Sequence, residues 1–283
     1  MRARMPGKAL LLAGGVLVGV VAAMCLLSFL WSPHDPLATN AVGRYQPPSA
    51  EHWLGTDALG RDVTSLILVG SRVPLLVGAA AVTISFLIGV PWGITAGILD
   101  HEGRAAGSWM MRGNDVVQAF PPLLLAIVLA AVWGGSTWTA MVALGVGAAP
   151  AVARVVRSGA LQVLSREFAL ASWGSGRGRL HLAWRHVLPN IRGILIVQAT
   201  VGFAIAVLAE AALSFLGLGT PPPTPSWGRM LQDGPSAVHV QPLLLLWPGG
   251  AIAMTVLGLN LLGDGLRDRL DPRGLTRRAV TAT

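Results

Sequence analysis

The sequence predicts an all-α integral membrane protein with about six transmembrane helices, and three observations predict it. Of 283 residues, 53% are hydrophobic and only 12% charged, whereas a soluble domain carries about 25% charged residues. The mean hydropathy is +0.62. The apolar residues are gathered into runs of roughly 17–25, each long enough to cross a bilayer core. With 35 Gly and 19 Pro, close helix packing and broken helices are both expected. The single cysteine, Cys25, excludes an intramolecular disulfide and a cysteine-based metal cluster.

Each element follows in order. Arg2, Arg4 and Lys8 precede an apolar run over 9–31. That run exceeds the roughly 7–15 residues of a signal-peptide core and lacks a small-residue cleavage site, so a retained first span is expected. Gly15 and Gly19 would form its packing face. Residues 32–73 form a largely polar loop, within which 62–71 reads as a short interfacial helix. A second span covers 75–99, where Gly89, Gly93 and Gly97 fall every four residues and leave one smooth face. Pro91 is expected to kink it. Residues 100–115 read as a polar loop, and a third span covers 116–133 with Pro121 and Pro122 near its start. Gly134, Gly135 and Ser136 allow only a turn, so a fourth span returns to about residue 153. An arginine-rich island follows, then a fifth span over 194–216. The run GLGTPPPTPSWG (217–228) is an extended, proline-stiffened loop, with Trp227 as an interface anchor. The sixth span is 243–262, and a charged tail closes the chain.

Charge asymmetry orients these spans. Loops on one side hold 17 of the 21 Lys+Arg; Arg44, Arg61, Arg72 and Arg229 lie on the other. The positive-inside rule places both termini and the arginine island in the cytoplasm.

The island reads REFALASWGSGRGRLHLAWRHVLPN over 166–190. Its first part, 165–173, suits a short helix; Gly174, Gly176 and Gly178 then permit a turn. A second short helix over 179–187 should end at Leu188-Pro189, because proline disfavours helix at the residue before it. The result is a basic knob outside the bilayer. A DNA-reading helix pair is disfavoured by the membrane-length flanks, so no nucleic-acid partner is expected; a merely solvated arginine-rich loop is the plainer alternative.

Arg166, Glu167, Phe168, Ala171, Ser172, Gly176, Arg185, His186, Leu188, Pro189 and Asn190 follow the order Arg-Glu-aromatic-x-x-Ala-Ala, Gly, Arg-His-x-Leu-Pro-Asn. This resembles the EAA loop of ABC importer permease subunits, in particular the dipeptide/oligopeptide/nickel permease family. Two positions depart: Leu170 stands where the motif often has Glu, and Ser172 replaces the second Ala. HWLGTD (52–57) with Gly60-Arg61-Asp62, ALSFLGLG, PPTPSWGRML and LLGDGLRDRLDP extend the resemblance over about 34–273. For 52–62 the resemblance implies a surface that meets a binding protein; the residues alone read as an interfacial helix anchored by Trp53, Arg61 and Asp62.

The resemblance implies one permease of an ATP-driven importer in a bacterial inner membrane, moving a small peptide, with nickel or another small solute as the alternative. Its partners would be a second permease, two ATP-binding subunits or domains, an extracytoplasmic substrate-binding protein and membrane lipid. The implied organisation is an N-terminal tip and first span (1–31), an outer loop (32–73), a permease core (74–273) with its coupling loop at about 162–190, and a cytoplasmic tail (274–283).

The remaining chemistry is sparse. No G-x-x-x-x-G-K-[ST] loop occurs, so ATP is expected on partner subunits, with no cofactor held by this chain and no enzymatic activity. None of the six histidines stands at metal-ligand spacing, so no metal site is expected. Glu210 is the only ionisable residue well inside a span. It is either a contact lining the substrate pathway or a carboxyl hydrogen-bonded between helices, the second being favoured. An ion-coupled secondary transporter, the remote alternative, would need more such groups.

Overall fold

In the computed structural model, which describes residues 7–234 and 238–270, the chain forms helices α1 (Gly7–Leu30), α2 (Val63–Gly70), α3 (Arg72–His101), α4 (Ala105–Gln118), α5 (Pro122–Trp133) and α6 (Thr137–Leu164). These are followed by α7 (Glu167–Gly174), α8 (Arg179–His181), a π turn (Leu182–Val187), α9 (Leu188–Phe215), α10 (Trp227–Asp233) and α11 (Leu243–Leu270). Five helical stretches are long and apolar enough to span a membrane, and the α4–α5 pair makes a sixth if counted as one bent span. Arg2, Arg4 and the charged tail from residue 271, including Arg273, Arg277 and Arg278, lie outside the described residues.

The glycine stripe of α3 packs as its spacing predicts. A Cβ on Gly89 would lie 2.6 Å from the Ala149 carbonyl oxygen, one on Gly93 2.4 Å from that of Ala153, and one on Gly97 2.9 Å from the Ala160 Cβ. The backbones of α3 and α6 therefore touch along three turns. Ile94, Ile98, Val152, Val156 and Ala160 fill the seam beside them. At the other side of the bundle α1 packs on α11. The residues of α1 that are buried are Gly14, Val21 and Ser28, a seven-residue repeat, and a Cβ on Gly14 would collide with the Gly258 carbonyl at 2.7 Å. Gly15 and Gly19, the expected packing face, have open space in front of them. A shift of one residue turns a helix by about 100°, enough to exchange an inner face for an outer one.

Five further expectations are corrected. The polar stretch 100–115 is mostly helix: α4 is amphipathic, and its Asn114 is buried and donates to the Pro150 carbonyl at 3.1 Å. The third span is consequently not a single helix over 116–133, because α4 and α5 meet at 69° across Ala119–Pro121, where two prolines remove backbone donors. The fourth span runs on to Leu164, carrying Arg154 and Arg157 into helix, where they pair with Asp115 and Asp100 at 2.6 Å each. Finally, α2 is not an interfacial helix. Six of its eight residues are buried, and Asp62 caps it from inside, accepting from Ser65 N at 2.7 Å. Trp227 is likewise no interface anchor: it is fully buried and its Nε1 donates to the Ile67 carbonyl at 3.0 Å.

Candidate functional site

The arginine-rich island hangs on one end of α3, α6 and α9 by three kinds of contact. The first is apolar. Ala169 of α7 is buried, Trp173 packs on the cluster of Ile94, Ile98, Leu164, Leu182, Val187 and Ile191, and its ring meets His101 edge-on at 5.8 Å. The second is a brace across the knob: His186 Nε2 and Ser172 Oγ are 3.1 Å apart, and the Phe168 and His186 rings lie 5.6 Å apart. Ser172, which departs from the family pattern, thus supplies a hydroxyl that alanine would lack. The third is ionic. Arg179 binds both carboxylate oxygens of Glu102 at 2.5 Å, joining the tip of the knob to the end of α3.

Local sequence explains the turn between the two limbs. Arg166 is extended (φ −84°, ψ 148°) and starts α7, and Glu167 in the first turn complements the helix dipole. Gly176 has φ +77° with nothing near its Cβ position, so glycine is required there by backbone conformation alone. The second limb differs from expectation. It does not stop at Leu188-Pro189 but runs through a π turn straight into α9. Pro189 has no N–H for the Arg185 carbonyl and its ring crowds that carbonyl; the wider turn, with Leu188 N–H bonded five residues back to Ala183, makes the room. It also sets Leu182 and Val187, both fully buried, on one face at a spacing of five. The Asn190 side chain returns to the His186 carbonyl at 2.7 Å. Motions of the knob are therefore joined to α9 by unbroken helix, to α6 by chain, and to α3 by Glu102.

The surface of the knob exposes apolar side chains. Phe168 is 41% exposed, Leu180 73% and Trp184 66%. Phe168 and Ala171 share one face of α7, and Leu180 and Trp184 share one face of the second limb. Arg166, Ala171, Arg185 and Pro189 are exposed beside them, with Leu188 half-buried at the root. Around this surface the charges are ordered. Hydrogen bonding from Arg179 holds the Glu102 carboxyl below its usual pKa, with help from the charges of Arg179 and Arg104. Desolvation, then the charges of Arg177, His186 and Arg185, lower the pKa of His181. Arg177 Nη1 lies 2.8 Å from His181 Nε2; since arginine only donates, that nitrogen accepts and the ring is neutral with its proton on Nδ1.

Sequence reasoning missed Glu102, Leu180 and Trp184. Glu102 is 77 residues from Arg179, and no local pattern signals such a pair. Glu210 is remote from the knob, near the C-terminal end of α9, and 1% exposed. Its Oε1 accepts from Ser214 Oγ at 2.6 Å, and that hydroxyl accepts from Thr220 N at 3.1 Å, so the carboxyl anchors the loop leaving α9. Sequence spacing also did not group His34, Glu51 and His52, whose ligand atoms lie within 4.8 Å of one another.

Comparison with known proteins agrees with this layout. Residues 89–274 match the family model described as binding-protein-dependent transport system inner membrane component. A putative peptide permease protein of Brucella suis is 42% identical over 246 residues, covering 86% of this chain and 80% of that one. The oligopeptide transport system permease protein of Bacillus subtilis is 37% identical over 270 residues, covering 95% and 88%. The dipeptide transport system permease protein of Alkalihalophilus pseudofirmus is 43% identical over 235 residues, covering 83% and 76%. Among solved structures, a chain of the inward-facing MetNI methionine ABC transporter superposes with a TM-score of 0.61 at 18% identity, covering 73% of this chain and 96% of that one.

Proposed function

This chain belongs to the family of inner membrane components of binding-protein-dependent transport systems, and on that premise we propose that it forms half of the translocation pathway of an ATP-driven peptide importer. A second permease subunit completes the pathway, and an extracytoplasmic binding protein delivers the peptide. Two ATP-binding subunits or domains grip the knob at 166–190, and ATP is hydrolysed on them. No catalytic role falls to this chain. The observation that carries the proposal is the exposed apolar surface of Phe168, Ala171, Leu180 and Trp184 on a knob braced to three spans. Closure of the ATPases would draw the knob sideways, and the unbroken helix into α9 and the Glu102–Arg179 pair would carry that displacement to the spans.

Peptide is favoured over nickel because relatives at 37–43% identity are named peptide, dipeptide or oligopeptide permeases. Cells whose only peptide importer contains this permease should accumulate a labelled di- or tripeptide in an ATP-dependent way. Accumulation of nickel without peptide would overturn the substrate class. In the same assay Glu210→Gln should retain most uptake, because an amide can still accept from Ser214; loss of uptake at normal assembled levels would make Glu210 a pathway residue instead.

The orientation we infer rests on the sequence, in which the loops assigned to the knob side hold 17 of the 21 Lys+Arg. Ser49, Thr224 and Ser175 are all exposed. A cysteine at Ser49 or Thr224 should react with an impermeant thiol reagent in cells whose inner membrane is accessible, and one at Ser175 should not. The reverse labelling would invert the protein in the membrane and remove the knob from the ATPases.

A further inference from the structure

Outside the knob, a group of unassigned polar side chains lies where the chain leaves α1 and enters α2. His34 follows the end of α1 by four residues, Glu51 and His52 lie in the middle of the outer loop, and Asp62 caps α2. The His34 and His52 rings are 4.7 Å apart, and one ligand atom from each of His34, Glu51 and His52 falls within 4.8 Å of the others. His34 lies 18 residues before His52, and local hydrogen bonds hold the two segments. His34 N donates to Ser65 Oγ at 3.0 Å, and His52 N donates to Ser49 Oγ at 3.0 Å.

The plain reading is a histidine pair that stiffens the loop through Asp62. Three details go beyond it. Asp62 already accepts from Ser65 N at 2.7 Å, Ser65 Oγ at 2.8 Å and His52 Nδ1 at 3.0 Å. His34 Nδ1 stands 3.8 Å from Asp62, beyond hydrogen-bond distance, and is a buried nitrogen without a partner. The bond from His52 Nδ1–H to a buried carboxylate leaves Nε2 with the lone pair, the arrangement by which a second carboxylate fixes a metal-bound histidine and raises its basicity. Glu51 is exposed and free to rotate toward the rings.

We propose that His34, Glu51 and His52 form a binding site for a borderline divalent transition-metal ion of the zinc class, with Asp62 orienting His52. Two imidazoles and one carboxylate suit Zn²⁺, Co²⁺ or Ni²⁺ and not Mg²⁺ or Ca²⁺, which select oxygen ligands. Metal–nitrogen distances of about 2.0–2.1 Å require the donors to close in from their present spacing, a movement that the exposed Glu51 side chain can make. The fourth position is left to water. The ion would join the segment leaving α1 to the middle of the outer loop, which His52 already ties to Asp62 at the start of α2. The site does not depend on what the protein transports.

The test uses the full chain with its copurifying partners in lipid nanodiscs, carrying an affinity tag without histidine and stripped with chelator. Zn²⁺ titrated calorimetrically should bind at one ion per chain, and Co²⁺ should give the visible absorption of a low-symmetry nitrogen–oxygen site. His34→Ala and Glu51→Gln should each weaken binding tenfold or more, and the double variant should abolish it. Metal should also slow proteolysis within 32–52 in the wild type alone. His52 is left intact because its loss would remove a donor from Asp62. Equal Zn²⁺ binding by the wild type and the double variant, or no stoichiometric binding by the wild type, would reduce the group to a hydrogen-bonded histidine pair.

Discussion

Gly93→Leu should leave little folded protein in the membrane. A Cβ there would lie 2.4 Å from the Ala153 carbonyl oxygen and 2.8 Å from the Val156 Cβ. The first of these is backbone and cannot rotate away, so α3 and α6 must separate. Their separation would open the cluster of Ile94, Ile98, Val152, Val156 and Ala160, which also seats Trp173 beneath the knob. Overpacking costs roughly 1–3 kcal/mol and occasionally more; contact with fixed backbone puts Gly93→Leu at the upper end. At about 1.4 kcal/mol per tenfold change, the ratio of folded to unfolded protein should fall by about a hundredfold. Gly19→Leu is the matched control, since Gly19 faces open space. Detergent-resistant folded protein, measured by size-exclusion chromatography, should survive in the control and be lost in Gly93→Leu. Equal recovery of both would mean that α3 and α6 do not pack as described.

Which features were legible in the sequence follows from what each residue type leaves undetermined. The stripe of Gly89, Gly93 and Gly97 was legible because three small residues at helical spacing have one structural use in an apolar helix. The turn at 134–136 was legible too: Gly134 takes φ +84°, and Ser136 caps α6 by accepting from Thr139 N at 3.0 Å. By contrast, Gly14 and Gly15 are adjacent and chemically identical, and only the partner helix decides which one is inside. The chain at 100–115 reads as a loop because Arg112, Asn114 and Asp115 interrupt it, yet Asn114 is satisfied by the Pro150 carbonyl 36 residues away. Trp227 follows a run of prolines and suggests a surface; its burial depends on Ile67, 160 residues distant. In the knob, the two limbs and the Gly176 turn could be placed from local signals. The π turn could not, because proline announces a break and the packing of Leu182, Val187 and Ile191 converts it into a widened helix.

Ala171→Trp should abolish uptake while leaving a folded, membrane-inserted permease. Ala171 is exposed on α7, on the same face as Phe168 and away from the buried Ala169. Because the position is exposed, an indole there should leave the fold intact. If an ATPase packs closely on this face, the same indole must be accommodated at the interface, where overpacking costs about 1–3 kcal/mol, or up to about a hundredfold in association. Gly176→Val should act more weakly and by a different route. It has space around it, but its φ of +77° strains a β-branched residue by roughly 1–2 kcal/mol, which would loosen the angle between the two limbs.

The retention of ATPases by tagged Ala171→Trp tests the docking role of 166–190 most directly. Purified from membranes, the variant should bring down the second permease at wild-type stoichiometry and ATPase at a tenth of the wild-type amount or less, with peptide uptake lost. Wild-type amounts of ATPase together with normal uptake in Ala171→Trp would contradict the docking surface assigned to the knob.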